Sequence, residues 1–165
     1  MTVRHTLQMM KITIMQTGHP DWETVADFAA GCTWRAGAYL AALMRADKFA
    51  ERERVIAAFT DGQPVGFCTL TAKDEMPDSC AYTPFIGFVF VDEQHRGQRI
   101  SAQMMDAAAA YAGTLGYDTV YVTSDEQGFY EKFGFTLLGT VENIRQEMTQ
   151  LFMKTIERGE CDGTA

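Results

Sequence analysis

The chain has little positive charge relative to its negative charge, and it lacks metal-type cysteine pairs and any long hydrophobic run. It has 14 Lys and Arg residues against 22 Asp and Glu residues, a net charge of −8. This balance argues against sequence-independent binding to nucleic acid or to an anionic membrane. No apolar stretch approaches the length of a membrane-spanning helix. We therefore expect no nucleic-acid partner and no membrane partner.

Other missing sequence features argue against further classes of protein. The cysteines show no metal-type spacing, so we predict reduced thiols and no metal site; they are Cys32, Cys68, Cys80 and Cys161. The N-terminus has Arg4 and a mixed apolar stretch but no signal-peptide core, so we expect a cytoplasmic protein. A P-loop Lys-Ser/Thr pair and an acidic metal cluster are also missing, which ranks a nucleotide-dependent enzyme low.

The length and composition predict one domain. The 165 residues are 47% hydrophobic and 22% charged, which are values of a globular protein. A chain of this length buries roughly two-thirds of its unfolded surface. No repeat or linker interrupts it. We predict a single domain over residues 1–165, with residues 1–9 and 159–165 loosely held.

The most informative stretch runs from Phe85 to Phe135. It opens with an apolar run, 85–91, which predicts a buried strand. A polar turn at 92–98 precedes a helix that ends at Gly116, and the alternating residues 119–123 predict a second strand. Such a unit has a right-handed crossover and parallel strands. The predicted inner face of its helix is Ile100, Met104, Ala107, Tyr111 and Leu115.

The remaining elements follow from periodicity and turn residues. Asp21 can cap a helix that runs to about Cys32, with Val25, Phe28 and Ala29 on its inner face. The other predictions are a strand at 11–15, a helix at 35–46 presenting Tyr39, Leu40, Leu43 and Met44, strands at 51–60 and 65–71 joined by an Asp61-Gly62 hairpin turn, a loop at 73–84, a short helix near 126–132, a strand at 135–139, a loop at 142–147 and a strand at 148–156.

The turn before the central helix has the character of an anion site. A helix N-terminus offers unpaired backbone N–H groups and the positive end of the helix dipole, which together suit a phosphate. Gly97 lets the backbone approach closely, and Arg96 and Arg99 add positive charge. On these residues alone, a phosphate site and an ordinary basic turn are equally good interpretations.

Several motifs together resemble the GNAT acyltransferases, which use acetyl-coenzyme A. They are Val91, HRGQRIS at 95–101, GFYEKFGF at 128–135, TWRAG at 33–37, ERVIAAF at 53–59, VGFCTL at 65–70 and LFMK at 151–154. The resemblance implies an α/β GNAT fold. Its mixed central sheet would have about six to seven strands with splayed parallel central strands, flanked by about four helices.

The coenzyme signature of that family is only partly matched. Arg96 supplies its first member, whereas Arg99 stands where glycine is expected and Ser101 where glycine or alanine is expected. Arg99 is bulkier, but its side chain can point outward if its φ is helical, and its charge favours phosphate. Ser101 is a mild change, since it is small and can donate a hydroxyl hydrogen bond.

By resemblance, coenzyme A would lie in the gap between strands 85–91 and 119–124. Its pantetheine arm would pair with backbone groups of Val89 and Val91, and its pyrophosphate would rest on the amides of 97–101. Lys132 would meet a coenzyme phosphate, although a solvated lysine is an equally good interpretation. The implied coenzyme-binding set is Val89, Phe90, Val91, Arg96, Gly97, Gln98, Arg99, Ile100, Ser101, Ser124, Tyr130 and Lys132.

Tyr130 is the catalytic residue that the resemblance implies, as general acid for the leaving thiolate. Considered alone, it would be interpreted as a packing residue. The sequence assigns no general base, because strand 85–91 has no carboxylate. Each nearby carboxylate is more readily explained as a surface group, and a water relay or a neutral acceptor needs none of them; the candidates are Glu53, Asp74, Glu75 and Asp92.

The expected acceptor pocket lies between the first two helices and the loops at 73–84 and 142–147. Trp34 and Tyr39 are candidates for an aromatic wall that binds an amine, with core packing of Trp34 as the alternative. The partners implied are a coenzyme A thioester and a primary amine of a small molecule or peptide, attacked directly in a ternary complex. A non-catalytic acyl-CoA-binding module is the alternative function, and a homodimer is possible.

Overall fold

The computed structural model describes residues 9–157, so the predicted loose segments 1–9 and 159–165 lie outside the described residues except for Met9. The elements in chain order are β1 Met10–Met15, α1 Trp22–Gly31, α2 Arg35–Arg45, β2 Arg54–Thr60, β3 Gln63–Thr71, β4 Phe85–Val91, α3 Ile100–Thr114, β5 Thr119–Ser124, β6 Thr136–Glu142 and β7 Met148–Thr155. Short 3₁₀ turns lie at Glu93–His95 and Tyr130–Phe133.

The strands of residues 9–157 form one seven-stranded sheet in the order β1-β2-β3-β4-β5-β7-β6. All neighbours are antiparallel except β4 and β5, which are parallel. The crossover α3 between these two parallel strands is the element that the sequence pattern predicts. The prediction of an α/β fold with a mixed sheet of six to seven strands is confirmed.

The described helices cover both faces of the sheet. On one face α3 packs over a core that includes Met104, Val122 and Phe152. On the other face α1 and α2 pack over a second core around Leu40 and Phe67. No helix within residues 9–157 is both long enough and apolar enough to cross a lipid bilayer.

One of the four predicted helices is not a regular helix. Residues 126–132 were expected to be helical, but in the described chain only the 3₁₀ turn Tyr130–Phe133 forms there. Gly128 and Gly134 both have positive φ angles, 77° and 88°, and this left-handed backbone interrupts an α-helix on each side of the turn. The structure therefore has three α-helices in the part of the chain described here.

The predicted inner faces of helices α2 and α3 are partly wrong. In α3 the buried residues are Ile100, Met104, Met105, Ala108 and Ala112, whereas Ala107, Tyr111 and Leu115 are only half-buried. The periodicity was correct, but the direction in which the crossover docks on the sheet decides which stripe is innermost. Likewise Tyr39 of α2 is 53% exposed, and Asp21 occupies the N-cap position of α1 without a side-chain capping bond.

The predicted boundaries of strands β2 and β6 also differ from those in the structure. Strand β2 begins at Arg54, so Glu53 precedes the strand instead of lying within it. The Glu53 carboxylate accepts hydrogen bonds from the backbone N–H groups of Ala50 and Ala72, each at 2.8 Å. Strand β6 runs from Thr136 to Glu142, beyond the predicted 135–139, because its pairing with β7 continues to Glu142 opposite Met148.

Gly37 allows α1 and α2 to approach each other closely. A Cβ atom at this position would lie 2.4 Å from the carbonyl oxygen of Ala29 and 2.4 Å from Sγ of Cys32. These distances are far below van der Waals contact, so a side chain would push the two helices apart. The position of α2 determines where Trp34 and Tyr39 lie.

We predict that Gly37→Ala destabilises the fold by roughly 1–3 kcal/mol, the usual cost of overpacking. The loss occurs even though alanine favours a helix by about 1 kcal/mol over glycine. Urea denaturation followed by circular dichroism measures it. The matched control is Gly31→Ala in α1, where a new Cβ meets nothing within 4 Å. Equal stability of the two variants would contradict the close helix contact.

Candidate active site

The parallel strands β4 and β5 separate almost as soon as they meet. Their register contains one residue pair, Phe85 with Tyr121. Beyond that pair β4 stays on β3 but contains a bulge: Gly87 pairs with Thr69 and Phe90 with Phe67, so two β4 residues face the single intervening residue of β3. Phe88, in this bulge, has a φ of 50°, a strained conformation for an aromatic residue.

A cleft of about 990 Å³ opens where the two strands diverge. It brings together every residue of the predicted coenzyme set except Gln98, which is exposed and does not line it. The lining residues from that set are Val89, Phe90, Val91, Arg96, Gly97, Arg99, Ile100, Ser101, Ser124, Tyr130 and Lys132. Trp34 lines the same cleft, whereas Tyr39 does not.

The N-terminus of α3 forms one end of this cleft. The first intrahelical hydrogen bond of α3 runs from the N–H of Gln103 to the carbonyl of Arg99 at 3.1 Å. The N–H groups of residues 100–102 therefore have no partner within the helix. Gly97 and Arg99 turn the backbone into this position with φ angles of 82° and 62°.

The helical φ on which an outward-pointing Arg99 side chain depended is not observed. Arg99 is left-handed, with φ 62° and ψ 23°, at the N-cap position of α3. A side chain in this conformation costs roughly 1–2 kcal/mol, which explains physically why a glycine suits the position. Arg99 is exposed to solvent and lines the cleft, so its charge remains available to an anion.

Arg96 is exposed, but its side chain contacts the end of β4. Its Nε donates a hydrogen bond to the carbonyl of Val91 at 3.0 Å, and its guanidinium carbon lies 5.8 Å from the ring centroid of Phe90. Nearby, Nδ1 of His95 lies 3.2 Å from a carboxylate oxygen of Asp92. The loop before α3 is thus fixed to the end of β4 by side-chain contacts.

Tyr130 lies in the wall of the cleft with its ring buried. It contacts Phe129 and Phe135 edge to face at centroid distances of 5.0 and 5.7 Å, and Phe152 at 5.7 Å. Burial raises the pKa of its phenol above the ordinary value, and the charges of Glu126, Cys68 and Asp74 add to this. The hydroxyl therefore keeps its proton at neutral pH and can act as a donor.

Asp74, one of the four candidate carboxylates that the sequence explains more readily as surface groups, lines this cleft. Its carboxylate lies directly over Gly87: a Cβ built there would be 2.5 Å from Oδ1 of Asp74. Burial and the neighbouring Glu75 raise the pKa of Asp74 to about 7, against smaller opposing effects from the Glu75 backbone N–H and from Arg145. The available signal was Gly87 itself, because glycine inside a strand often marks a close approach.

The two aromatic candidates lie in different places. Trp34 is 37% exposed and stacks on Phe90 with ring centroids 6.0 Å apart and planes 8° apart. Tyr39 lines a second cavity of about 330 Å³ and contacts Phe88 at a centroid distance of 6.0 Å. The two cavities share Asp74, Glu75 and Phe88. The single expected aromatic wall is therefore divided between two adjoining cavities.

The family model of the acetyltransferase (GNAT) family matches residues 20–135, well over half of the chain. The chain therefore belongs to the GNAT acetyltransferase family. The match extends from the residues before α1 past the Tyr130 turn, and so it includes every lining residue of the cleft and all those of the second cavity except Ile144. No curated protein sequence matches the chain significantly.

Solved structures share the fold at low sequence identity. An aminoglycoside 6'-N-acetyltransferase complexed with coenzyme A is 16% identical, with a TM-score of 0.65, over 90% of this chain and 98% of that one. An aminoglycoside 6'-acetyltransferase type Ii is 18% identical, with a TM-score of 0.66, over 90% and 99%. The Escherichia coli GNAT protein YhbS in complex with CoA is 18% identical, with a TM-score of 0.63, over 91% and 82%.

We predict that Arg99→Gly is more stable than Arg99→Ala by about 1 kcal/mol, because glycine relieves the left-handed strain that alanine retains. Both variants lose the same charge, so their difference isolates the backbone conformation. Urea denaturation of the two variants measures it. If alanine proves at least as stable as glycine, Arg99 does not have a left-handed backbone.

Proposed function

We propose that this protein is an acetyl-CoA-dependent N-acetyltransferase, which moves an acetyl group to the primary amine of a small molecule or peptide by direct attack in a ternary complex. The observation on which the proposal rests is the open edge between β4 and β5. This edge leads from the unpaired amides of α3 to the buried phenol of Tyr130. The geometry suits an elongated ligand with an anionic end and a reactive end.

Coenzyme A fits the donors that the cleft provides. Backbone groups of Val89 and Val91 lie on the β4 edge that diverges from β5, so an extended amide-containing arm can pair with them as a strand would. The unpaired N–H groups at the start of α3 and the charges of Arg96 and Arg99 suit its pyrophosphate. Lys132 supplies a further positive charge at the cleft.

Bound acetyl-CoA supplies an activated thioester, and the residues of this chain control the protons. The phenol of Tyr130 retains its proton, so it can donate a hydrogen bond to the departing sulfur. A thiol has a pKa near 8.5 and a phenol one near 10, so complete transfer to the thiolate is unfavourable in isolation. Tyr130 therefore acts during C–S cleavage and recovers a proton from the new amide nitrogen or from water.

The likeness to two aminoglycoside acetyltransferases favours a small-molecule amine over a protein acceptor. An aminoglycoside or a polyamine has primary amines that are cationic in solution, and this protein has a net charge of −8. The three described cysteines are free thiols, which agrees with a cytoplasmic setting for the reaction.

The proposal is tested by titrating acetyl-CoA into the protein by calorimetry and then measuring thiol release with kanamycin, spermidine and a short peptide. We expect micromolar coenzyme binding and turnover with at least one amine. In Arg99→Ala the affinity should fall, and more so at low ionic strength, where charges are less screened. Binding without turnover would favour a non-catalytic acyl-CoA-binding module, and absence of binding would overturn the proposal.

For Tyr130→Phe we predict that kcat falls by about 10²-fold or more, the usual contribution of a general acid, while the affinity for acetyl-CoA stays near that of the wild type. Phenylalanine preserves the ring contacts with Phe129, Phe135 and Phe152. Steady-state kinetics and calorimetry on the same preparations make the comparison. Equal losses in turnover and in affinity would assign Tyr130 a packing role only.

A further inference from the structure

The turn between α1 and α2 gives the coenzyme cleft an aromatic side chain. Thr33, Trp34 and Ala36, from this turn and the start of α2, line the cleft together with residues of β4. Trp34 is 37% exposed, so part of its indole is available to a ligand. The other tryptophan of the chain, Trp22, is 5% exposed and belongs to the core under α1. Trp34 is therefore the tryptophan that a ligand in the cleft can touch.

The indole of Trp34 is held in place by its neighbours. It stacks on Phe90 and Phe67 at centroid distances of 6.0 and 6.3 Å, with interplanar angles of 8° and 21°. Phe88 contacts it edge to face at 6.2 Å. The carbonyl of Trp34 accepts a hydrogen bond of 2.9 Å from the N–H of Gly37. Because Phe67 and Phe90 are buried, the indole cannot move toward the sheet without overpacking the core.

The order of residues along β4 determines which end of a bound coenzyme would lie near this indole. The anion-binding end of the cleft is the start of α3, which follows the C-terminal end of β4, and Arg96 is bound to the carbonyl of Val91 there. An extended arm that pairs with β4 from this end passes Val91 first and Val89 next. Its far end, which carries the acyl group, would therefore lie beside Gly87 and Phe88 in the bulge.

The surroundings of the bulge differ in polarity from one side to the other. The carboxylate of Asp74 covers Gly87, where a Cβ atom would lie 2.5 Å from Oδ1. The ring of Phe88 lines both cavities and contacts Trp34. An apolar acyl chain is disfavoured beside a carboxylate and favoured beside aromatic rings. The chain would therefore extend toward the rings of Phe88 and Trp34.

We propose that Trp34 limits the length of the acyl group, so that the cleft accepts an acetyl group and excludes longer chains. This inference rests on the proposed acetyltransferase function and adds a specificity-determining residue to it. The indole is a fixed wall for the methyl group of the thioester. Each further methylene would have to displace a ring that Phe67 and Phe90 hold in place.

The expected selectivity is that of an apolar pocket with a rigid wall. One methylene more or less in such a pocket changes kcat/KM by roughly 10–200-fold. Butanoyl-CoA is two methylenes longer than acetyl-CoA, so the wild type should prefer acetyl-CoA by about 10²-fold or more. Truncation of the indole to the methyl group of alanine would remove the wall and leave room for the longer chain.

The test compares acetyl-CoA, propanoyl-CoA and butanoyl-CoA with the wild type, Trp34→Ala and Trp34→Phe. Calorimetry measures the affinity for each thioester without an amine, and thiol release measures kcat/KM with whichever of spermidine and kanamycin the wild type acetylates faster. The matched control is Tyr82→Ala. Tyr82 is 39% exposed, packs on Tyr121 at a centroid distance of 4.9 Å and lines neither cavity.

In Trp34→Ala, the affinity for butanoyl-CoA relative to that for acetyl-CoA should rise by about tenfold or more, and the preference in kcat/KM should fall by a similar factor. Trp34→Phe should lie between the wild type and the alanine variant, because its ring is smaller than an indole. It also keeps an aromatic contact with Phe90, so it decides the question if the alanine variant does not fold. Tyr82→Ala should keep the wild-type preference.

A wild type that binds and uses the three thioesters equally well would overturn the inference, and so would an unchanged acyl preference in both Trp34 variants. A higher KM for the amine with the acyl preference retained would assign Trp34 to the acceptor instead. All three results leave the proposed function intact. If neither amine is acetylated, the calorimetric comparison still decides the inference. Failure of the wild type to bind acetyl-CoA would refute the proposed function, and this inference with it.

Discussion

The separation of β4 from β5 is the constraint on which the rest of the site depends. Each strand is held on its outer side by an antiparallel neighbour, β3 or β7, so the two cannot simply close the gap. Their inner edges keep backbone groups that the sheet leaves unpaired. At this opening the bulge holds Phe88 at a positive φ, a strain of roughly 1–3 kcal/mol that the surrounding packing must offset.

Charge is distributed unevenly around this opening. The protein is acidic overall, yet Arg96, Arg99 and the start of α3 place positive charge and free N–H groups at one end of the cleft. The adjoining cavity is lined by four carboxylates and two lysines, and one of those carboxylates is paired with Arg145. An anionic ligand and a cationic ligand would therefore be drawn to different sides of Asp74 and Phe88.

The sequence alone determined the framework and predicted many of the residues that line the cleft. The apolar run at 85–91, the Gly97 turn and the period of α3 are local signals, and they predicted the crossover unit correctly. The motif at 128–135 is also a local signal, because its residues are contiguous in the chain, and it indicated that aromatic residues surround Tyr130. Local sequence signals did not reveal which face of α3 packs on the sheet. They also did not reveal the backbone conformations of the left-handed Arg99 and of the 3₁₀ turn at 130–133.

Only the tertiary structure decided what lies beside Asp74. Its loop is held by Glu75, which accepts hydrogen bonds from Arg145, 70 residues further along the chain. Its carboxylate rests on Gly87 and lines the same cleft as Tyr130. None of these relations has a fixed sequence spacing, because each depends on where separate strands and loops dock. Burial then changes the chemistry of the group, and burial belongs to the whole fold instead of to any segment.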